Sequence, residues 1–326
     1  MARTLVIGGT SLIGRPLVEA LLSRGDEVTI LHRSPGTPFG NGVTELRADR
    51  NDPDAVRHAV EGHSFELVFD NVYDWERGTT AEQVTATARA VADGLQRYVF
   101  TSSVAVYPEG GPFSEDAELV PASYSNPYSA QKAESERALF RLAQETGLQV
   151  STLRPAFVYG PHNPFEREAF FWDRLMAGRP ILLPEDGSRT MQWVGAADVA
   201  RAAVRAATME SGVNRAFNLA GEPITQTEYV QLLARVAGVE PELVPVPRET
   251  LQAAGGDLFG PPLYFGTFLD IPPITASGER ARNLLGLELT PLENGLRETF
   301  DWYRSQERPE PAVAWENRML ESMGRG

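Results

Sequence analysis

Tyr128-Ser129-Ala130-Gln131-Lys132 sets a phenol and an ammonium four positions apart. On a helix such positions share one face, a turn apart. A free tyrosine titrates near 10, so it handles protons poorly at neutral pH unless a positive charge favours its phenolate. Lowering it by about three pKa units takes about 4 kcal/mol of differential stabilisation, which partly desolvated charges can supply. The same spacing arises by chance on any helix, so the elements around it must decide. Upstream, Phe100-Thr101-Ser102-Ser103 ends an apolar run. A hydroxyl at a strand's carboxyl end faces the crevice in which open α/β sheets take ligands. Ser103 is therefore a candidate to hold a substrate oxygen while Tyr128 moves a proton.

The elements that must position these groups alternate. Apolar runs at 3–8, 27–32, 43–49, 66–70, 97–103 and 148–155 read as strands. Residues 11–25, about 79–94 and 126–147 read as helices, with Asp52-Pro53 as the N-cap and first position of another. This pattern predicts an α/β fold, a Rossmann-type doubly wound parallel sheet. After Gly160 proline, glycine and aromatics become frequent. Residues 1–160 plus about 191–221 are expected to form the dinucleotide domain, and 161–190 plus 222–326 a smaller, loop-rich substrate lobe.

The first strand runs into Gly8-Gly9-Thr10-Ser11-Leu12-Ile13-Gly14. A glycine-rich turn between a first strand and a first helix lets backbone approach a pyrophosphate, and the helix N-terminus offers unpaired N–H groups. The same turn also forms without a ligand. At the end of the second strand stand His32 and Arg33, with no carboxylate to receive a ribose hydroxyl. A charge-assisted bond from arginine to a 2′-phosphate contributes roughly 1.5–3 kcal/mol. NADP(H) is thus expected over NAD(H), which stays possible if Arg33 is only a solvated loop residue. Asp49 and Arg50, at the third strand's end, are expected cofactor contacts; Asp49 is placed to accept from an adenine amine, or else to cap the following helix with Asn51 and Asp52.

Taken together, GGTSLIG, TSSVAVY, YSAQK, LRPAFVYGP and ADVA (197–200) resemble the short-chain dehydrogenase/reductase superfamily. The similarity is to its extended branch of nucleotide-sugar epimerases and dehydratases. Ser103 lies 25 residues before Tyr128, the spacing that branch uses. The resemblance implies a catalytic set of Ser103, Tyr128 and Lys132. Tyr128 would be the general acid/base, and Lys132 would lower its pKa and hold the nicotinamide ribose. It also implies cofactor contacts at Asn71, Pro155 and Val158, and a homodimer pairing two helices of each subunit. GGTSLIG with LHR further resembles an atypical subgroup that includes plastid RNA-binding relatives, many without the tyrosine that this chain keeps. Phe157 stands where many epimerases carry an asparagine that reaches the sugar diphosphate. Met191 stands where an arginine is usual. Val104 and Ala105 replace the acid pair of dehydratases. The expectation is hydride transfer at a secondary alcohol or ketone carbon, of a sugar or sugar nucleotide. An NADPH-dependent ketone or aldehyde reductase is the alternative, and a non-catalytic nucleotide-sensing or RNA-binding relative a further one.

Four further residues are candidates for substrate contact. Tyr73 and Trp75 follow the fourth strand and either wall the pocket or pack beneath a capped loop. His162 and Asn163 either touch substrate or form a polar turn. Bulk properties narrow the partners. With 30 basic and 44 acidic residues the net charge is −14, which disfavours nucleic acid. There are no cysteines and only four histidines, and no metal-ligand spacing. No apolar run reaches the roughly 18 residues of a membrane span, and a strand begins near the first residue. A cytoplasmic protein acting on a small molecule is expected.

Overall fold

In the computed structural model, residues 1–165, 167–253, 265 and 269–324 are described. The chain divides into two compact units. The first comprises Met1–Val158, Val194–Gly221 and Ile274–Leu289; the second Tyr159–Trp193, Glu222–Pro273 and Thr290–Gly326.

The first unit is built on seven parallel strands. In chain order its first elements are β1 (Arg3–Ile7), α1 (Gly14–Ser23), β2 (Glu27–His32), β3 (Thr44–Arg47), α2 (Pro53–Val60), β4 (Leu67–Asp70), α3 (Ala81–Ala90), β5 (Arg97–Thr101), β6 (Gly110–Phe113), α4 (Pro127–Thr146) and β7 (Val150–Pro155). The sheet order is strand Arg215–Leu219, then β7, β5, β4, β1, β2, β3. Leu5, Val6 and Ile7 are all fully buried, so β1 is covered on both faces. That is why its sequence reads as an unbroken apolar run, as is usual for parallel strands between helices. The chain order reverses beside β1, which pairs with β2 and with β4. Ile7 lies level with Leu31 on one side and Asp70 on the other, so the carboxyl ends of these three strands are flush. That is the switch point where doubly wound sheets take ligands.

Local sequence accounts for the helices that matter. Asp52 caps α2, accepting from the amides of Asp54 and Ala55, with Pro53 in the first turn. Asn126 caps α4, Pro127 opens it and Gly147 closes it in the left-handed conformation at φ 78°. The buried face of α4 carries Ser129, Lys132, Ala133, Glu136, Leu139 and Ala143, a stripe of helical period that includes two ionisable groups.

The sequence pattern placed 274–289 in the lobe, but the structure packs it with the first unit. Ile274–Ala276 forms a strand parallel to β6. β6, Gly110-Gly111-Pro112-Phe113, has no strand signature of its own, and Ile274–Ala276 is too short to show one. The second unit is less loop-rich than expected. It holds helices Glu168–Met176, Gln226–Ala237, Leu292–Arg304 and Ala314–Ser322. Strand Ile181–Pro184 pairs with Leu243–Val246, and Thr190–Met191 with Ile224–Thr225. Phe171, Trp172, Tyr229 and Leu233 are buried among these helices. Much of the aromatic-rich stretch 258–274 assigned to the lobe lies outside the described residues. No helix among the described residues is long and apolar enough to cross a membrane.

Candidate active site

Tyr128 and Lys132 stand one turn apart on α4. Lys132 is only 4 % exposed, and its ammonium donates to the Thr101 carbonyl at 2.7 Å. It lies 4.6 Å from the Phe100 ring centroid and 5.5 Å from that of Tyr73. Burial pushes the ammonium down from its ordinary 10.5 to about 8; Asp70 and Glu136 oppose that shift, while Arg50 adds to it. At neutral pH Lys132 therefore still carries its charge, one turn from the Tyr128 phenol.

Tyr128 is half-buried and packed by two aromatic rings. Trp75 stacks on it at 4.8 Å and 22°, and Tyr73 meets it edge-on at 4.8 Å. The two tyrosines are not equivalent. Tyr73 donates its O–H to Gln131 Oε1 at 2.8 Å, and burial together with Tyr128 and Asp74 pushes it up to about 12. Tyr73 therefore stays protonated at neutral pH, as a wall beside Tyr128. Ser103 precedes a single 3-10 turn, Val104–Val106, and its Oγ accepts from the Ala105 amide at 3.1 Å. That contact uses a lone pair and leaves the hydroxyl proton to donate.

A buried network lies behind this group. Arg154 donates to Glu136 at 2.6 Å, to the Tyr107 hydroxyl at 2.6 Å and to the Glu115 carbonyl at 3.2 Å. Tyr107 in turn donates to Asn218 Oδ1 at 2.8 Å. The network ties the turn after Ser103 to the face of α4 that carries Lys132.

The end of β1 fits a dinucleotide. Gly8 has φ 84°, and a Cβ there would fall 2.5 Å from Val72 Cγ2. A Cβ on Gly14 would fall 1.9 Å from the Gly8 carbonyl oxygen, so backbone closes on backbone. The N-terminus of α1 has no side-chain cap; the Arg15 amide bonds the Ser11 carbonyl and Pro16 has no N–H, so the amides of the turn before the helix are the ones placed to meet an anion. Thr10 is half-buried and Ser11 exposed, whereas Leu12 and Ile13 turn their side chains to the core. Those two can offer a phosphate only their backbone. Asn71 follows β4; its Oδ1 accepts from Thr101 Oγ1 at 2.5 Å. Its Nδ2 is buried with no hydrogen-bond partner among the described residues, as is Ser102 Oγ. Two orphan polar groups at adjacent strand ends suit a polar ligand.

Not every expected contact is brought there. Arg50 is 3 % exposed and bonded to Asp70 at 2.5 Å, Thr87 Oγ1 at 2.9 Å and the Gln83 carbonyl at 3.0 Å. It is a core ion pair rather than a group facing a cofactor, because Asp70, also bonded by Tyr98, needs a buried countercharge. Asp49 Oδ1 accepts from the Asn51 amide, and its Oδ2 from Arg77 at 2.6 Å. His32 turns to Glu45 at 3.5 Å. Arg33, with its side chain 63 % exposed, reaches Asp74 at 3.3 Å. Pro155 ends β7, and the Val158 side chain belongs to the apolar cluster that contains Leu12. Phe157 is half-buried at the start of strand Phe157–Tyr159.

In the second unit, His162 has a positive φ of 61° and its ring lies 5.0 Å from Trp302. Asn163 donates to Glu168 at 3.2 Å and accepts from the Phe165 amide. Met191 is 4 % exposed, level with Ile224 across a strand pair. Sequence reasoning missed Thr101, Gln131, Asp74 and Arg77. The Thr101 acceptor is a backbone carbonyl, which no residue type signals, and the other three read as ordinary loop and helix-surface residues.

Residues 4–220 match the model of the NAD dependent epimerase/dehydratase family. The chain belongs to that family. It is a nicotinamide-dinucleotide-dependent enzyme of the extended short-chain dehydrogenase/reductase type. A UDP-glucose 4-epimerase of Mycolicibacterium smegmatis is 31% identical over 93% of this chain and 99% of that protein. A 3-diazoavenalumate denitrifying reductase of Streptomyces is 31% identical over 88% of the chain and 96% of its own length. A chloroplast stem-loop binding protein of Arabidopsis thaliana is 30% identical over 74% of the chain, but the match spans only 65% of that protein. Among solved structures, the Thermus thermophilus UDP-glucose 4-epimerase in complex with NAD superposes with a TM-score of 0.74, at 27% identity, covering 94% of this chain and all of that one. Among the described residues no cluster of His, Asp and Glu is arranged to hold a metal ion.

Proposed function

We propose that the enzyme oxidises or reduces a secondary alcohol or ketone carbon of a sugar or sugar nucleotide, with Tyr128 moving the hydroxyl proton. The observation that carries this is the buried, charged Lys132 one turn from Tyr128, at strand ends that present Ser103 and Asn71. A nicotinamide dinucleotide, when bound, supplies the hydride acceptor or donor. The residues do the rest. Gly8, Gly14 and the amides of Thr10 to Ile13 hold a pyrophosphate, and Asn71 Nδ2 donates to a cofactor oxygen. Lys132 favours the Tyr128 phenolate. Ser103 donates to the substrate oxygen and fixes its direction, so that Tyr128 takes the proton in oxidation and returns it in reduction. Trp75 and Tyr73 keep water from the Tyr128 ring.

Arg33 supports a preference for NADP(H) over NAD(H). Phe157 and Met191 carry no charge for a diphosphate, which supports a second reading as a ketone or aldehyde reductase; the similarity to the diazoavenalumate reductase agrees with it. An RNA-binding role draws on the stem-loop binding relative, but a net charge of −14 opposes it. A surface groove between α3 and α4, lined by Ala81, Thr85, Arg89 and Arg141, supports pairing of two copies.

The test is to purify the protein without added nucleotide, denature it and identify what is released by mass spectrometry. Retained NAD⁺ marks an enzyme that recycles its cofactor in place, as an epimerase must. An empty protein that binds NADPH more tightly than NADH marks a reductase. Tyr128→Phe is expected to bind the dinucleotide normally and to lose turnover; a variant with full turnover refutes the assignment.

A further inference from the structure

Four charged side chains meet where β2, β3 and β4 end. Asp74 Oδ2 receives Arg33 at 3.3 Å and Arg77 at 2.6 Å through Nη2 and 3.0 Å through Nε. The same Arg77 Nη2 lies 2.6 Å from Asp49 Oδ2. Asp74 Oδ1 accepts from the amides of Glu76 and Arg77 and so shapes the turn. The two arginines are more than half exposed, at 63% and 52% of their side chains, while Asp74 is 7% exposed. The cluster thus sets two exposed cations, Arg33 and Arg77, against two carboxylates, Asp74 and Asp49, and it carries no net charge.

We infer that Asp74 and Arg77, together with Arg33, set the choice between NADPH and NADH. The inference rests on the dinucleotide reading above and deepens it. Arg33 follows β2, whose end lies level with the end of β1 and hence with the glycine turn. A 2′-phosphate brings about two negative charges. It draws Arg33 and Arg77 off Asp74 and is repelled by the carboxylate they leave. A ribose 2′-hydroxyl instead donates to the Asp74 carboxylate and needs neither arginine. Asp74 therefore restrains NADPH and favours NADH, while Arg77 acts only for the phosphate. Asp74 is held ionised by the bonds from its own turn and from Arg77, so the restraint persists at neutral pH.

The experiment measures dissociation constants of NADPH and NADH by fluorescence titration of the purified full chain, with no turnover required. Asp74→Asn keeps a side-chain oxygen for the turn amides while removing the charge. It is expected to raise the NADPH/NADH affinity ratio about tenfold or more. Arg77→Met is expected to weaken NADPH about tenfold or more, one charge-assisted bond, and to leave NADH within about twofold. In the wild type the ratio falls as salt rises, because exposed charges are screened. Arg77 and Arg33 are exposed, so Arg77→Met and Arg33→Met keep the test open if Asp74→Asn fails to fold. Should both dinucleotides bind while these substitutions leave the ratio unmoved, the assignment of Asp74 and Arg77 is overturned. Binding of neither dinucleotide to the wild type overturns the dinucleotide reading and this inference with it.

Discussion

Replacing Lys132 by methionine should make the protein more stable at neutral pH while removing its chemistry. The ammonium is 4 % exposed, and burial holds it at about 8 instead of 10.5. At about 1.36 kcal/mol per pKa unit, keeping the charge folded at pH 7 costs about 3 kcal/mol. Methionine fills similar space without charge but gives up the bond to the Thr101 carbonyl, a loss of about 1 kcal/mol. The net gain is about 2 kcal/mol, or about 4 °C in melting temperature for a chain of this size. The sign follows from linkage. Between about 8 and 10.5 the unfolded chain holds a proton on this lysine that the folded chain has released, so the wild type gains stability as pH rises through that window. At pH 10 most of the cost is gone, and the two proteins should melt together. Scanning calorimetry of cofactor-free wild type and Lys132→Met at pH 7 and pH 10 measures both gaps. A variant no more stable than wild type at pH 7, or a gap that does not close by pH 10, refutes the view that a charge is held there against its own solvation. The expected pattern is that of a residue kept for function at a cost in stability.

Glu168 is 3 % exposed, and burial pushes its carboxyl up to about 7 from 4.5. The folded state then favours the protonated form. Its stabilising effect is full below the ordinary value and lost as pH rises through about 7, so Glu168→Gln should gain up to about 3 kcal/mol over wild type between pH 5 and pH 8; melting curves across that range check it. Arg154→Met leaves Glu136 a buried, unpaired charge and should cost about 3–5 kcal/mol. The double change with Glu136→Met should recover much of that loss in urea titrations. Gly14→Ala forces a Cβ into the Gly8 carbonyl and should abolish dinucleotide binding measured by titration calorimetry, with about 1–3 kcal/mol of lost stability.

What could be read from the chain beforehand was local. Gly8 and Gly14 betray themselves because only glycine permits the backbone approach. Asp52-Pro53 is a cap whose parts are adjacent, and Tyr128 and Lys132 are a turn apart on one helix. What could not be read depends on distance in sequence. Arg50 sits beside Asp49 and looked like part of the same strand-end site, yet its partner Asp70 lies on the next strand and draws it into the core. The strand Ile274–Ala276 pairs with an edge that β6 offers; three residues are too few to show alternation, and Gly110-Gly111-Pro112 in β6 is a poor strand sequence. Asp74 and Arg77 form a polar turn like many others until Arg33 and Asp49 arrive from two other strands.

These late arrivals concentrate in one segment. Residues 71–79 begin with Asn71 against the glycine turn, continue with Tyr73 and Trp75 around Tyr128, and contain Asp74, which gathers the arginines. Gln131, one position before Lys132, fastens the far end by accepting from Tyr73 and from the Thr79 amide. A short loop held at both ends by side-chain bonds thus runs from the ends of β4 and β5 to α4. Asp74 and Trp75 are neighbours on it. A change in how the arginines grip Asp74 therefore acts on the residue adjoining the ring stacked on Tyr128. The loop proposed to set cofactor choice also packs Tyr73 and Trp75 on Tyr128, so a substitution at Asp74 is expected to disturb both.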